Sequence, residues 1–162
     1  MWTASDVVVR ARVTDSEQLA LPGLRTAAPV VKHQALILEV FKAPATVAGQ
    51  KHIAIAQPGG VIVSEERRIA EADRHFPVLQ PGDEAVFFLV PWSAASAHAS
   101  QWGPGGVFRI SKETATVPGA AHGVLEFRGR QTLPVDQLVA QLRALAARIP
   151  ELVPAAVKVH DA

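Results

Sequence analysis

The sequence predicts a mainly β protein, a small barrel of five strands with a C-terminal amphipathic helix packed on it. Apolar residues alternate from Val7 to Val13 at the period of a half-buried strand. Pro81-Gly82 marks a tight turn that runs directly into the apolar stretch Ala85-Val86-Phe87-Phe88-Leu89-Val90. After Pro134 the period changes from that of a strand to that of a helix.

Along the chain, Val7, Val9, Ala11 and Val13 point to one side of the first strand, and Arg10, Arg12 and Thr14 to the other. Ser16 to Pro29 contains Pro22-Gly23 and no sustained pattern, which predicts a long loop. Val30 to Lys42 resumes the alternation, with Leu36, Leu38 and Val40 assigned to one face and His33, Ala35 and Glu39 to the other; Phe41 breaks it and predicts a bulge or a second buried contact. A turn from Ala43 to Gly49 leads to a third strand, Lys51 to Gln57, with Ile53 and Ile55 inward and Pro58-Gly59-Gly60 as its stop. Val61 to Arg74 is read as a hairpin rather than a helical turn. The fourth strand, Glu84 to Pro91, is apolar on both faces, so something must cover its outer side.

A loop from Trp92 to Gly106 then leads to a fifth strand at Val107 to Ser111, with shorter extended pieces at Ala115 to Val117 and Gly123 to Arg128. The glycine-rich Gly103-Pro104-Gly105-Gly106 lacks the Lys-Ser or Lys-Thr of a phosphate loop and is read as a hairpin loop. In Pro134 to Ile149, Val135, Leu138, Val139, Leu142 and Leu145 form one stripe, with Asp136 at the positive end of the dipole, Arg143 and Arg148 at the negative end, and Pro150 as the stop. The fourth strand is the expected partner of that stripe. Residues 1 to 150 are expected to form one domain, and residues 151 to 162 a loosely packed tail.

Of the 162 residues, 49% are apolar and 19% charged, which is globular composition without the unbroken apolar run of a membrane span. The net charge of +1 gives no long-range attraction to nucleic acid or anionic lipid. The chain has no cysteine, which excludes disulfides, thiolate metal sites and cysteine nucleophiles.

Five strands with a long first loop, an insertion before the fourth strand and a late helix is the order of a Greek-key barrel of the OB type. The series Ser5 to Val13, Glu39-Val40-Phe41-Lys42, Gln57-Pro58-Gly59-Gly60, Phe76-Pro77, and Pro81-Gly82-Asp83-Glu84 before Phe87-Phe88-Leu89 resembles a group of uncharacterised exported bacterial proteins. That group is similar in outline to the OB barrel of netrins and tissue metalloproteinase inhibitors. A signal peptide precedes the first strand there, so the resemblance implies a periplasmic or extracellular location, with Met1 an internal or added methionine and a cytoplasmic location as the alternative. Lys42-Ala43 stands where the group has Lys-Gly, and the zinc-chelating N-terminal cysteine of the inhibitors is missing, so their mechanism does not carry over.

The six histidines, His33, His52, His75, His98, His122 and His160, show no i, i+4 pair, and His33 and His52 are read as solvated residues on an outer face rather than as zinc ligands. Glu65, Glu66, Glu71 and Asp73 form an acidic cluster with the carboxylates of a hydrolase, but Arg67, Arg68 and Arg74 among and beside them favour ionised surface pairs. Arg10, Arg12 and Lys51 offer some charge for single-stranded nucleic acid, yet there is no tyrosine and most of the phenylalanines fall at expected core positions. No catalytic residue, metal or cofactor is assigned. In OB barrels the loops after the first and fourth strands flank the binding face, which points here to Leu24, Arg25, Trp92 and Trp102. The expected function is non-catalytic binding of a protein or cell-envelope ligand, with a hydrolase using Glu65 to Asp73 and a single-stranded nucleic-acid-binding barrel as alternatives.

Overall fold

The computed structural model describes residues 2–22, 27–63, 67–72, 76–100, 103–117 and 131–148. The strands are β1 (Val7–Leu21), β2 (Ala28–Lys42), β3 (His52–Pro58), β4 (Gly60–Val63), β5 (Arg68–Glu71), β6 (Glu84–Trp92), β7 (Ala97–Ser100), β8 (Val107–Ser111), β9 (Thr114–Val117) and β10 (Gln131–Pro134). One helical turn, α1 (Ala45–Ala48), one longer helix, α2 (Val135–Arg148), and two 3₁₀ turns, Ser93–Ala95 and Gly103–Gly106, complete the described elements.

Five strands close into a ring in the order β1-β2-β3-β7-β6, with β6 pairing back onto β1. β3 and β7 run parallel through Ile55 and His98, and the other neighbours are antiparallel. This is the predicted OB-like barrel. The far edge of β6 is shared between two partners: Leu89 to Trp92 pair with β7, and Glu84 to Phe87 with β8. The fifth barrel strand is therefore split between β7 and β8 rather than confined to Val107 to Ser111. The 3₁₀ turn Gly103–Gly106 interrupts it and does not close a hairpin. A Cβ on Gly106 would fall 2.2 Å from Ser100 Oγ and 3.1 Å from the Phe88 carbonyl oxygen, so only glycine lets the two half-strands follow β6 so closely.

The Pro81-Gly82 turn forms as predicted. Gly82 has φ of 97°, and the Asp83 N–H donates to the Gln80 carbonyl at 2.9 Å. The turn is also stitched to β1, since the Gly82 N–H donates to Val13 and the Val13 N–H donates to Asp83, each at 2.8 Å. From that anchor β6 enters the core, where Ala85 to Leu89 are completely buried together with Val7, Val9, Ala11, Phe108, Leu138 and Leu142. Burying side chains of this size contributes roughly 1.5–3 kcal/mol each, which makes this half of the barrel its stable centre.

Two expectations about the first hairpin need correction. Ser16 to Pro29 is not a long loop, because β1 continues to Leu21 and pairs with β2 from its start at Ala28. The alternation fades there because the arm extends past the end of β6 and no longer has a single buried face. The faces of β2 before Leu38 also have the opposite phase to the one expected: His33 and Ala35 are fully buried and Ile37 is nearly so, whereas Leu38 is 39% exposed; past Leu38 the expected phase holds, with Val40 buried. The register explains this, for Arg10 opposes Glu39 while Ala11 opposes Ile37, so Leu38 has no partner, and Phe41 is passed over in the same way between Val40 and Lys42. Phe41 is the predicted bulge. The second bulge, at Leu38, is what inverts the pattern.

The predicted hairpin between Val61 and Arg74 is the two-stranded ribbon β4–β5. Helix α2 buries Val135, Leu138, Val139 and Leu142 as expected, while Leu145 is only partly buried. Its backbone comes nearest to β2, β9 and β10, and its buried side chains share one core cluster with Ala85 to Leu89 of the fourth barrel strand, β6. An ion pair from Arg143 to Glu39 ties it to β2. The expected strand at Gly123 to Arg128, the helix end at Ile149 and the tail lie outside the described residues.

Candidate functional site

The chemistry-bearing part of the molecule is the arm of the first hairpin beyond the bulge at Thr14, which lies between Val13 opposite Ala35 and Asp15 opposite Gln34. Past this bulge Ser16 faces His33 directly across the ladder, and Gln57 on β3 lies diagonal to His33, which pairs with Ile55. Directly opposed and diagonal side chains on one face are within reach of each other. Here they form a chain of hydrogen bonds. Ser16 Oγ lies 2.7 Å from His33 Nδ1, and His33 Nε2 lies 3.1 Å from Gln57 Oε1.

The direction of each bond follows from the partners of Gln57. Its amide nitrogen faces the carbonyls of Phe76 and Pro77 at 3.2 and 3.0 Å, and these groups can only accept. Its amide oxygen accepts the Leu79 N–H at 3.0 Å, so His33 must also donate to it, from Nε2. The imidazole then has a free lone pair on Nδ1, and the Ser16 hydroxyl must donate to it. Burial lowers the pKa of His33 below the usual 6.5, against the raising effects of the Gln57 hydrogen bond and the Asp83 charge. The ring is thus a neutral base, entirely buried, with a half-buried serine hydroxyl in front of it. The expectation of a solvated His33 is overturned; His52 is exposed as expected.

A second polar device sits two residues further out. Gln18 donates through Nε2 to the carbonyls of Val30 and Gly59 and accepts the Val61 N–H on Oε1, which clips the start of the β4–β5 ribbon to the arm. Beside this clip lies an open cleft of about 420 Å³, lined by Pro58, Gly59, Ala70, Glu71 and Ala72. The ribbon's outer positions are apolar but solvated, with Val61 39% and Val63 74% exposed.

The opposite face of the arm is covered by the chain between β6 and β7. Val30, Ala56 and Ala95 form a small buried cluster with Leu19, Leu21, Trp92 and Ala97 packed on it. By strand alternation Leu19 and Val30 lie opposite the face that carries Ser16 and His33. The described parts of the two stretches singled out in the sequence therefore meet on one cluster, and Trp92 is half-buried there. Leu24, Arg25 and Trp102 lie outside the described residues, as do Glu65, Glu66 and Asp73; Glu71 is exposed at the rim of the cleft.

At a separate place Lys42 donates to the Trp2 carbonyl at 2.9 Å with its ammonium 5.9 Å from the indole centroid, and burial lowers its pKa against the attraction of Asp6. Arg10, one of the cations considered for nucleic acid, contacts Glu84 through two guanidinium nitrogens across β1 and β6, at 3.0 and 2.8 Å. Among the described residues no group of three or more His, Asp or Glu side chains converges as a metal site.

Ser16, His33 and Gln57 escape a sequence reading because they are 17 and 24 residues apart and the Leu38 bulge inverts the phase of β2. The available signal is a histidine in the same parity as Val31, Ala35 and Ile37. No protein-family model matches this chain, and among curated proteins none is significantly similar to it.

Proposed function

We propose that this protein is a non-catalytic binding module of the bacterial cell envelope, and that it engages a protein or envelope ligand through the arm of the first hairpin and the ribbon beside it. The observation that carries the reading is the β4–β5 ribbon, which among the described residues pairs with no strand of the barrel and presents Val61 and Val63 to solvent next to the Pro58–Ala72 cleft. A short ribbon gains little stability from exposed valines, so their placement favours contact with another surface. Trp92 flanks the opposite face of the same arm, and Leu24, Arg25 and Trp102 join the proposal by their sequence positions next to described residues of that region. The envelope location rests on the resemblance to exported proteins alone.

Site-specific photocrosslinking tests the binding surface. A benzophenone side chain placed at Val63 in the full chain and exposed to envelope extract is expected to give one discrete adduct that unlabelled protein competes away. The same group at Gln137, on the exposed side of α2, is expected to give none. Equal crosslinking at both positions, or no competition at Val63, contradicts the reading.

A further inference from the structure

We propose that Ser16 is an activated hydroxyl, a covalent acylation site that takes an acyl group from an activated ester or thioester and holds it stoichiometrically. An ordinary serine hydroxyl is a poor nucleophile, and the diagnostic arrangement for an activated one is a base within hydrogen-bond reach that is itself oriented by a third group. Ser16, His33 and Gln57 supply those three parts at 2.7 and 3.1 Å, with the tautomer fixed by the Phe76, Pro77 and Leu79 backbone. Ser100 makes the contrast, because its hydroxyl donates to the Gly103 carbonyl, which cannot take a proton.

The step balances without any further reactant. Ser16 Oγ forms a bond to the acyl carbon, its proton passes to His33 Nδ1, the bond from the acyl carbon to the leaving oxygen or sulfur breaks, and the proton leaves with that group. The products are the Ser16 ester and a free alcohol or thiol. Gln57 is neutral and gives the transient imidazolium no carboxylate partner of the kind a hydrolytic triad uses, so both formation and hydrolysis of the Ser16 ester are expected to be slower than in such a triad. Among the described residues, the Asp83 carboxylate acts on the His33 ring through space, and Asp83 itself lies 3.6 Å from Arg109, which donates to the Pro77 carbonyl. The site lies on the arm assigned to binding but does not depend on that assignment.

The full chain treated with p-nitrophenyl acetate is expected to release one equivalent of nitrophenolate, and peptide mapping to place the acetyl group on Ser16. General-base assistance is worth about 10²-fold or more, so Ser16 should label about 10²-fold faster than the remaining serines. The rate should rise with pH to a plateau reached near or below neutrality, since the base is a histidine with lowered affinity for protons, whereas lysine acylation continues to rise. Ser16→Ala should abolish the adduct. Ser16→Cys gives a second readout in a chain with no native cysteine: alkylation by iodoacetamide should follow a thiol titrating below about 8.5. Acetyl groups dispersed over several serines, a Ser16 rate equal to theirs, or a thiol in the Ser16→Cys variant that titrates at or above the free value overturns the proposal.

Discussion

The two halves of the first hairpin are held in different ways. Below the bulge at Thr14, β1 lies between β2 and β6, and Val7, Val9, Ala11 and Val13 are buried with Phe87, Phe88 and Phe108 in one dry core. Above it β1 has lost β6, and one face of the arm is held by Ser16, Gln18, His33 and Gln57 through hydrogen bonds to one another and to backbone groups of β2, β4, the β3–β4 junction and the 76–79 segment. Apolar burial is non-directional and tolerant of small rearrangements. A polar network is stabilising only when every member is satisfied. The lower half sets stability, and the upper half sets one conformation of a surface at which chemistry or recognition can occur.

The largest expected effect breaks the dry side of this comparison. Leu142 is completely buried against the core, and Leu142→Ala should cost about 2–5 kcal/mol in chemical denaturation. An unchanged midpoint would mean that α2 is not part of the barrel's core. Next, Gln57→Ala should cost on the order of 2–3 kcal/mol, because it leaves the buried Leu79 N–H and His33 Nε2–H without their partner. It should also speed hydrogen exchange at Leu79 while leaving the amides of Val86 to Phe88 unaffected. A loss shared equally by both regions would erase the distinction between them.

The third test uses pH. The folded pKa of His33 is lowered, so as pH falls the unfolded chain binds its proton first. Stability is therefore full above about 6.5 and is lost as pH falls from there toward the folded pKa. His98, also lowered chiefly by burial against the opposing Asp6 charge, adds a slope of the same sign. His33→Gln should remove the His33 share and leave that of His98; an unchanged slope contradicts a buried neutral His33. The smallest effect belongs to the ribbon, where Val63→Ser should change stability by less than about 0.5 kcal/mol because the side chain is 74% exposed.

How far the sequence is legible follows the same division. The Pro81-Gly82 turn, the inward set of β1, the ribbon and α2 are readable because each depends on local backbone preference or on one unbroken period. The arm is not, because each of its strands passes a bulge and each bulge reverses which residues face inward. The Ser16, His33 and Gln57 chain joins three strands, so no local pattern carries it. Trp92 lies beside the arm's cluster, and the indole's half-burial there reflects packing that sequence does not separate from recognition.

The claim that the arm is ordered by a fixed polar network centred on a neutral histidine is tested most directly by ¹⁵N NMR of the His33 imidazole in the intact protein at neutral pH. The structure predicts a protonated, pyrrole-type Nε2 coupled to its hydrogen and an unprotonated, pyridine-type Nδ1 that accepts from Ser16. Two protonated nitrogens, the opposite tautomer, or averaged shifts of a ring exchanging freely with solvent would contradict it.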